Sequence, residues 1–360
     1  MSAPRRTLAL LGAVALAAAS TRCADAPTGP NTAAAGSITA ADVVHRVGVL
    51  ADDSMRGRWT PSPELETAAA YIAGEFARAG LRGGAPDGGY VLRYPADSAT
   101  APNVIGILDG GDAALHGEYV LVVAHMDHIG AGPESGCTAQ GADSICNPKR
   151  ATAAAGKPAF CTAQDADSIC NGADDNASGT AGMLEIAEAF AQLDPRPRRS
   201  VAFIAFSGEE RGLWGSQDYV AEPAIPLQQT AAVINLDMIS RNDPGTVFVT
   251  GLDSSSLGEV FAGVARAHRE LGLAAVPFVD VGRSDHEPFA QRAIPYLVFF
   301  AGLHQDYHRP SDSADRINPD KAARVARLAF YVTLAVANAG ARPVWHAGAA
   351  MGRAVASTVR

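Results

Sequence analysis

The chain has 360 residues, of which 38 are acidic and 29 are basic, so its formal net charge is −9. This balance argues against a nucleic-acid-binding protein, because a protein that covers phosphates needs a basic face. Hydrophobic residues at 48% and charged residues at 19% exclude an intrinsically disordered chain, and the length suffices for one large α/β domain or two smaller ones.

The first residues are typical of an export signal. Two arginines precede the apolar stretch 8–19, which is too short to cross a bilayer and has the right length for a signal-peptide core. We therefore predict a signal peptide over residues 1–22 and an exported protein that is periplasmic, bound to the cell envelope or extracellular. Cys23 follows at the position of a lipid-modified cysteine. Because Arg22 replaces the small residue of a usual lipobox, membrane attachment through a lipid on Cys23 stays open.

The pattern then changes from a linker to regular structure. Residues 23–37 are rich in Ala, Pro, Thr and Gly and are predicted to form a flexible tether. Helical patterns follow at 40–51, with Thr39 as a candidate N-cap, and at 62–80, which begins with Ser-Pro and ends at Gly. Apolar runs predict two strands, at 103–108 and 119–124.

The next segment contains four of the five cysteines in an internal repeat. CTAQGADSICN at 137–147 recurs as CTAQDADSICN at 161–171, with ten of eleven positions identical. We interpret this as a duplication within one surface loop, 131–171. Four cysteines in an exported protein favour two disulfides, and the simplest of three connectivities pairs Cys137 with Cys146 and Cys161 with Cys170. A zinc site built from all four is disfavoured, because the spacing lacks the usual tight knuckle.

Strands and helices continue to alternate after the loop. Helical patterns cover 177–193, 257–271 and 318–339. Apolar runs predict strands over 201–206, 232–236, 246–250 and 295–300. Such continuous runs suit strands that are buried on both faces. The alternation predicts an α/β fold, a three-layer sandwich in which helices cover both faces of a mixed, mostly parallel central sheet.

These elements are predicted to form a single domain. It covers residues 38–345, carries the duplicated loop, and is followed by a tail over 346–360. No segment after the signal peptide holds eighteen uncharged apolar residues, so no transmembrane helix is expected.

Histidine and acidic side chains follow the predicted strands where those strands end. They are His125 and Asp127 after 119–124, Glu209 and Glu210 after 201–206, Asp237 after 232–236, and Asp306, Tyr307 and His308 after 295–300. Asp175 lies just before the helix at 177–193. Because ligands of α/β sheets bind beyond the carboxyl ends of the strands, we expect these side chains to meet at one edge.

The residue types fit a hydrolase with two zinc ions. Imidazole and carboxylate groups suit zinc, and two ions about 3.5–4 Å apart can hold a hydroxide and a carbonyl oxygen together. Two neutral histidines, three carboxylates and a hydroxide balance the charge of two such ions. The site as a whole is then nearly neutral, which limits the desolvation cost of burying it. Adjacent residues on an extended segment point to opposite sides, so one of Glu209 and Glu210 can bind metal while the other faces the water.

The order of these motifs resembles the secreted bacterial leucine-aminopeptidase family, the co-catalytic two-zinc metallopeptidases that include aminopeptidases Y and S. The motifs are AHMDHIG (124–130), NGADDNASG (171–179), SGEERGLWGS (207–216), INLDM (234–238), and SDHEPF with DYHRPSD (284–289 and 306–312). LADDSMRGR at 50–58 is similar to that family's N-terminal segment. The resemblance covers about residues 40–340 and implies a zinc-exopeptidase-like fold.

The resemblance also implies a ligand set. Asp175 would bridge two zinc ions, with His125 and Asp237 completing one site and Glu210 and His308 the other. Zinc rests on ligand type and resemblance, so another divalent ion stays open.

The same resemblance implies roles in the hydrolysis of peptide substrates at their N-terminus. Glu209 would be the general base that takes a proton from a hydroxide-forming water bridging the two ions and passes it to the leaving amine. Asp127 would orient His125, as carboxylates often do for metal-bound imidazole. Tyr307 matches a tyrosine that hydrogen-bonds the oxyanion in some members.

His128, His286 and His304 are interpreted as structural, and Asp174 as an exposed neighbour of the ligands. A glutaminyl-cyclase-like acyl transferase that works with one zinc is one alternative function. A non-catalytic exported binding protein is the other, and no obligate protein partner is inferred.

Overall fold

The computed structural model describes residues 30–131, 137–140, 143–146, 161, 167–278 and 284–346. Within them the helices are α1 (Pro30–Ser37), α2 (Ala40–Leu50), α3 (Pro63–Arg78), α4 (Gly179–Ala191), α5 (Trp214–Ala221), α6 (Leu257–Ala267), α7 (Glu287–Ala290) and α8 (Pro319–Asn338). The strands are β1 (Arg82–Gly83), β2 (Val91–Ala96), β3 (Ala99–Leu108), β4 (Tyr119–His125), β5 (Cys137–Gln140), β6 (Asp143–Cys146), β7 (Ser200–Phe206), β8 (Thr230–Asp237), β9 (Thr246–Thr250), β10 (Ala274–Pro277) and β11 (Tyr296–Phe300). The predicted signal peptide, Cys23, the tail beyond 346 and most of the duplicated loop lie outside the described residues.

The described residues form one nine-stranded mixed sheet. Its order is β1-β3-β7-β4-β8-β11-β9-β10, and β2 pairs with β3. The central strands β7, β4, β8 and β11 are all parallel. β3 and β9 flank this centre and run antiparallel to it. The carboxyl ends of the four central strands therefore lie side by side.

The central strands are buried on both faces, as their apolar runs predict. In β4, Val120 and Val122 belong to the apolar cluster under α4 and α8, whereas Leu121 and Val123 belong to the cluster under α5 and α7. Alternate side chains of a strand point to opposite faces, so an uninterrupted apolar run serves two cores at once. Each such side chain contributes about 2 kcal/mol when buried. The predicted fold class, with helices on both faces of a mixed sheet, is confirmed.

Three predicted helix starts carry the capping groups that the sequence indicates. The side chains of Thr39, Ser62 and Asn318 each accept a hydrogen bond from the backbone N–H three residues later. α3 and α8 both have Pro in their first turn, where the missing N–H costs nothing. Each cap satisfies one of the free donors at the helix start, which typically stabilises the helix by about 1 kcal/mol.

The predicted tether is wrong over part of its length. Residues 30–37 form α1, which packs against α4 and α8. Ala34 and Ala35 are buried in that contact. Their small side chains let a short helix approach its neighbours closely, and a compositional argument for flexibility does not detect this.

Short elements were also missed because they carry little periodicity. They are α5, α7, β1, β2, β5, β6 and β10. Five of them, α7, β1, β5, β6 and β10, have four or fewer residues. In the part of the chain that the structure describes, no helix is long and apolar enough to cross a membrane.

A disulfide links the two cysteines in the second copy of the repeat. Cys161 and Cys170 form a disulfide with a Cα–Cα distance of 5.6 Å, as predicted. In the first copy, the β5–β6 hairpin places the Cα atoms of Cys137 and Cys146 opposite each other. Their side chains lie outside the description, so that pairing stays a prediction.

Removing the Cys161–Cys170 disulfide is expected to destabilise the protein. The bridge closes a short loop with a sequence separation of 9. Loop-closure entropy then gives a loss of about 2.5 kcal/mol for the Cys161→Ser/Cys170→Ser variant in urea unfolding. With a reductant present in both samples, the wild type and the variant should unfold at the same midpoint, since the reductant also opens any Cys137–Cys146 bridge in both. An unchanged unfolding midpoint would contradict the prediction.

Candidate metal centre

The predicted site residues meet at the carboxyl edge of the four central strands. β4 ends at His125 and β8 ends at Asp237. Glu209 and Glu210 lie in the turn after β7, and His308 lies in the loop after β11. The register keeps these ends level, since His125 pairs with Phe206 across β4 and β7.

One group of side chains forms around His125. Its Nε2 lies 3.4 Å from Asp175 Oδ1 and 3.5 Å from Asp237 Oδ1. The other oxygen of Asp237, Oδ2, accepts a hydrogen bond of 2.7 Å from Ser284. These three residues offer one imidazole and two carboxylates within 4.8 Å of one another.

A second group forms around His308. Its Nε2 lies 3.1 Å from Asp175 Oδ2 and 3.2 Å from Glu210 Oε2. His128 joins this group, with Nδ1 at 2.8 Å from Glu210 Oε1. Asp175 is thus shared: its Oδ1 faces the first group and its Oδ2 faces the second.

The arrangement fits cations that would sit between these atoms. Asp175 Oδ2 and His308 Nε2 are buried and close together, yet neither has a hydrogen-bond partner among the described residues. Buried polar atoms without partners are costly, and a bound cation would satisfy both. Imidazole nitrogens and carboxylate oxygens are also the donor set that zinc binds well.

Hydrogen bonds from distant segments fix the backbone that carries the shared carboxylate. Asp175 lies in a single π-type turn, Ala173–Ser178, just before α4. The carboxylate of Asp312 accepts hydrogen bonds from the backbone N–H groups of Asp174 and Asp175, at 3.0 to 3.1 Å. Asn176 accepts one from the backbone N–H of Met238, just beyond β8. The turn is therefore fixed against both β8 and the loop of His308.

The side chains of the second group shift one another's protonation. Burial and the charge of Asp175 favour the neutral form of Glu210, but the charge of His308 and the hydrogen bond from His128 outweigh them and lower the pKa of Glu210 to about 2. Burial opposes the charged form of His308, but Glu210 and Asp175 raise its pKa to about 11. Cations would compete with these protons for the same atoms.

Glu209 is in a different environment from its neighbour Glu210. Burial raises its pKa well above the usual range, and the nearby charges of Glu210 and Asp237 add to this effect, although His125 opposes it. A carboxyl group with a raised pKa holds a proton more readily at neutral pH, which suits a group that must accept and then give up a proton.

Asp127 contacts His125 differently from the expectation. His125 Nδ1 lies 3.2 Å from the main-chain oxygen of Asp127 and 3.7 Å from its carboxylate. The carboxylate instead accepts hydrogen bonds from the Thr60 hydroxyl at 3.0 Å and from the backbone N–H of Glu209 at 3.3 Å. Asp127 therefore links the segments of His125 and Glu209.

Tyr307 stacks on the imidazole of His308, with ring centres 3.7 Å apart. The residue is 36% exposed, so it borders the site rather than filling it. Burial raises the pKa of its hydroxyl, and the charges of Asp175 and Glu210 add to this, so the group stays protonated and can donate.

The structure corrects the interpretation of two residues near the site, Asp174 and His128. Asp174 is fully buried, not exposed, and its carboxylate accepts hydrogen bonds from Ser178 and Ser240. His128 lies in the second group, not apart from it. His286 and His304 belong to neither group. The closeness of His128 to His125 and Asp127 in the sequence could have indicated that His128 lies near the site. It does not specify that the imidazole of His128 contacts Glu210.

Arg58, the last residue of the motif LADDSMRGR, also supports the site. It is fully buried and donates hydrogen bonds to the main-chain oxygens of Met126, Asn171, Gly172 and Leu50. Burial lowers its pKa to about 10, so the side chain remains charged at neutral pH. One guanidinium thus joins α2, the end of β4 and the approach to the shared aspartate.

Arg58→Met is expected to reduce the free energy of unfolding by about 4 kcal/mol, because it leaves several buried carbonyl groups without donors. Urea unfolding of the apo protein measures this. Arg82→Met is the matched control, since Arg82 is about half exposed and pairs with Asp109 at the surface. That change should cost less than about 1 kcal/mol. Equal losses in the two variants would refute the structural role of Arg58.

Comparison with known proteins decides the family. The model of peptidase family M28 matches residues 103–333, which is more than half of the chain and includes both ligand groups. The chain belongs to peptidase family M28. The family resemblance inferred from the motifs is thereby confirmed.

Curated M28 relatives match part of the chain. Aminopeptidase YwaD of Bacillus subtilis is 32% identical over 174 residues, which are 46% of this chain and 37% of that protein. The probable lipoprotein aminopeptidase LpqL of Mycobacterium tuberculosis is 28% identical over 180 residues, which are 41% of this chain and 36% of that protein. The chain thus spans little more than a third of the length of these relatives.

Solved structures share the M28 fold seen here. LapA aminopeptidase of Legionella pneumophila has a TM-score of 0.65 at 18% identity, covering 86% of this chain and 74% of that one. Porphyromonas gingivalis glutaminyl cyclase has a TM-score of 0.58 at 16% identity, covering 82% and 97%. At these identities the likeness concerns the fold alone.

Proposed function

We propose that the protein is an exported M28 aminopeptidase that hydrolyses the N-terminal peptide bond with two zinc ions. The proposal rests on the position of the Asp175 carboxylate. Its two oxygens face two separate groups of candidate ligands. A carboxylate that directs one oxygen to each site could hold two neighbouring ions side by side. His125 and Asp237 complete the first site, and Glu210 and His308 the second.

The chemistry divides between the ions and the chain. When bound, the ions would polarise the substrate carbonyl and lower the pKa of a water molecule. Glu209 accepts the proton of the attacking water and passes it to the leaving amine. Asp127 holds the backbone of Glu209 and keeps His125 oriented. Tyr307 donates its hydroxyl to the oxyanion that forms.

Peptides are the proposed substrates, and an exported location is proposed with them. Family membership and the names of the curated relatives support the substrate class. LpqL is named a probable lipoprotein aminopeptidase, which supports export and keeps lipid attachment at Cys23 among the expectations. The apolar stretch 8–19 supports the same location.

Aminoacyl-anilides and their N-acetylated forms test this function. The free amines should be hydrolysed, the blocked forms should not, and a chelator should abolish turnover until zinc is restored. Hydrolysis of blocked or internal peptides at equal rates would exclude an aminopeptidase. Turnover that persists after removal of all metal would exclude a metal-dependent one.

The glutaminyl-cyclase alternative uses the same scaffold with one zinc. The complete group of His125, Asp175 and Asp237 favours a second ion and therefore the peptidase. Peptides that begin with Gln separate the two: a cyclase releases ammonia, whereas an aminopeptidase releases glutamine.

A further inference from the structure

We infer that His128 is a positioning residue that orients Glu210 toward the second ion and thereby sets the affinity of that site alone. This inference rests on the proposed function. His128 is fully buried, and its Nδ1 donates to Glu210 Oε1 at 2.8 Å. His308 approaches the other oxygen, Oε2, at 3.2 Å. The two imidazoles thus take different oxygens of one carboxylate.

In the first site, too, two different groups approach the two oxygens of one carboxylate. Ser284 donates to Asp237 Oδ2, and Oδ1 is the oxygen near His125. In each site a donor fixes one oxygen of the terminal carboxylate and leaves the other free for a cation. Donors behind metal-binding carboxylates orient them and strengthen binding. His128 is the counterpart of Ser284 for the second site.

The tautomer of His128 agrees with a donor rather than a ligand. A ring nitrogen that hydrogen-bonds a carboxylate must carry the proton, so Nδ1 is the donor. The other nitrogen, Nε2, is buried and has no hydrogen-bond partner among the described residues. A metal-bound histidine usually donates its second nitrogen to an acceptor, and Nε2 has none there.

The surrounding chain fits this ring closely. The backbone N–H of His128 donates to the main-chain oxygen of Arg58 at 3.4 Å. Gly172 has φ +59°, and a Cβ there would lie 2.5 Å from Cγ of His128. The absence of a side chain at Gly172 therefore makes room for the imidazole. The ring is held between the Arg58 segment and the approach to Asp175.

Zinc affinity in half-site backgrounds tests the inference. Asp237→Ala keeps only the second site complete, and His308→Ala keeps only the first. Adding His128→Leu to Asp237→Ala should weaken zinc binding about 10- to 100-fold in chelator competition. Adding it to His308→Ala should change affinity less than about threefold, because Glu210 is not a ligand there.

Isosteric variants keep the test decisive if His128→Leu does not fold. His128→Asn places an amide N–H near the position of Nδ1 and should retain affinity in the Asp237→Ala background. His128→Gln places its amide near Nε2 and should lose it. Unchanged affinity in all variants overturns the inference, and so does loss in His128→Asn, which would make the imidazole a direct ligand. Wild type that binds fewer than two ions would instead contradict the proposed function.

Discussion

Glu209→Gln is expected to lower kcat by about 10³-fold while both zinc ions remain bound. The amide keeps the size of the side chain but cannot accept the proton of the attacking water. Among the described residues, Glu209 forms no ion pair with a histidine, whereas Glu210 lies 3.2 Å from His308. Metal content and turnover of an aminoacyl-anilide measure the two halves of this prediction.

The control is Glu222→Gln, which removes an exposed carboxylate just after α5. Its turnover should equal that of the wild type. If Glu209→Gln retained full turnover, Glu209 would not be the base. If it lost zinc, its carboxylate would belong among the ligands and the assignments of Glu209 and Glu210 would need to be exchanged.

Asp175→Asn is expected to weaken binding of both ions by more than about 100-fold, since even the loss of a residue behind a ligand costs 10- to 100-fold. The substitution removes the negative charge that faces both groups. Asp237→Asn should weaken one ion only, because Asp237 contacts His125 and not His308. Zinc titration of the chelator-treated protein separates the two variants.

The difference in zinc binding between Asp175→Asn and Asp237→Asn tests whether Asp175 alone serves both sites. Both are buried or nearly so, and both changes preserve size. Loss of a single ion in Asp175→Asn, or of both in Asp237→Asn, would contradict the shared role of Asp175. Circular dichroism of the apo variants controls for folding.

The central strands were predictable from the sequence because each contains a continuous run of apolar residues. A run such as that of β4 is apolar at every position only if both faces are buried. The residues that follow each run were then predictable as a group, since neighbouring parallel strands end at one edge. Helix caps at Thr39 and Ser62 were predictable because a short side chain before the pattern satisfies a free donor.

The sequence does not specify which neighbours a side chain contacts. His128 and Asp312 both stand inside recognised motifs, but their partners come from distant segments. Asp312 holds the turn of Asp175 from 137 residues away. α1 is a similar case, because Ala34 and Ala35 are informative only once α4 and α8 are in place. Tertiary contacts decide such positions, and local pattern does not encode them.

Anomalous diffraction at the zinc edge would locate the ions and so test whether Asp175 lies between two of them. Crystals of the zinc-loaded protein should show two peaks beside Asp175, one next to His125 and Asp237 and the other next to Glu210 and His308. A single peak, or peaks away from Asp175, would contradict the account.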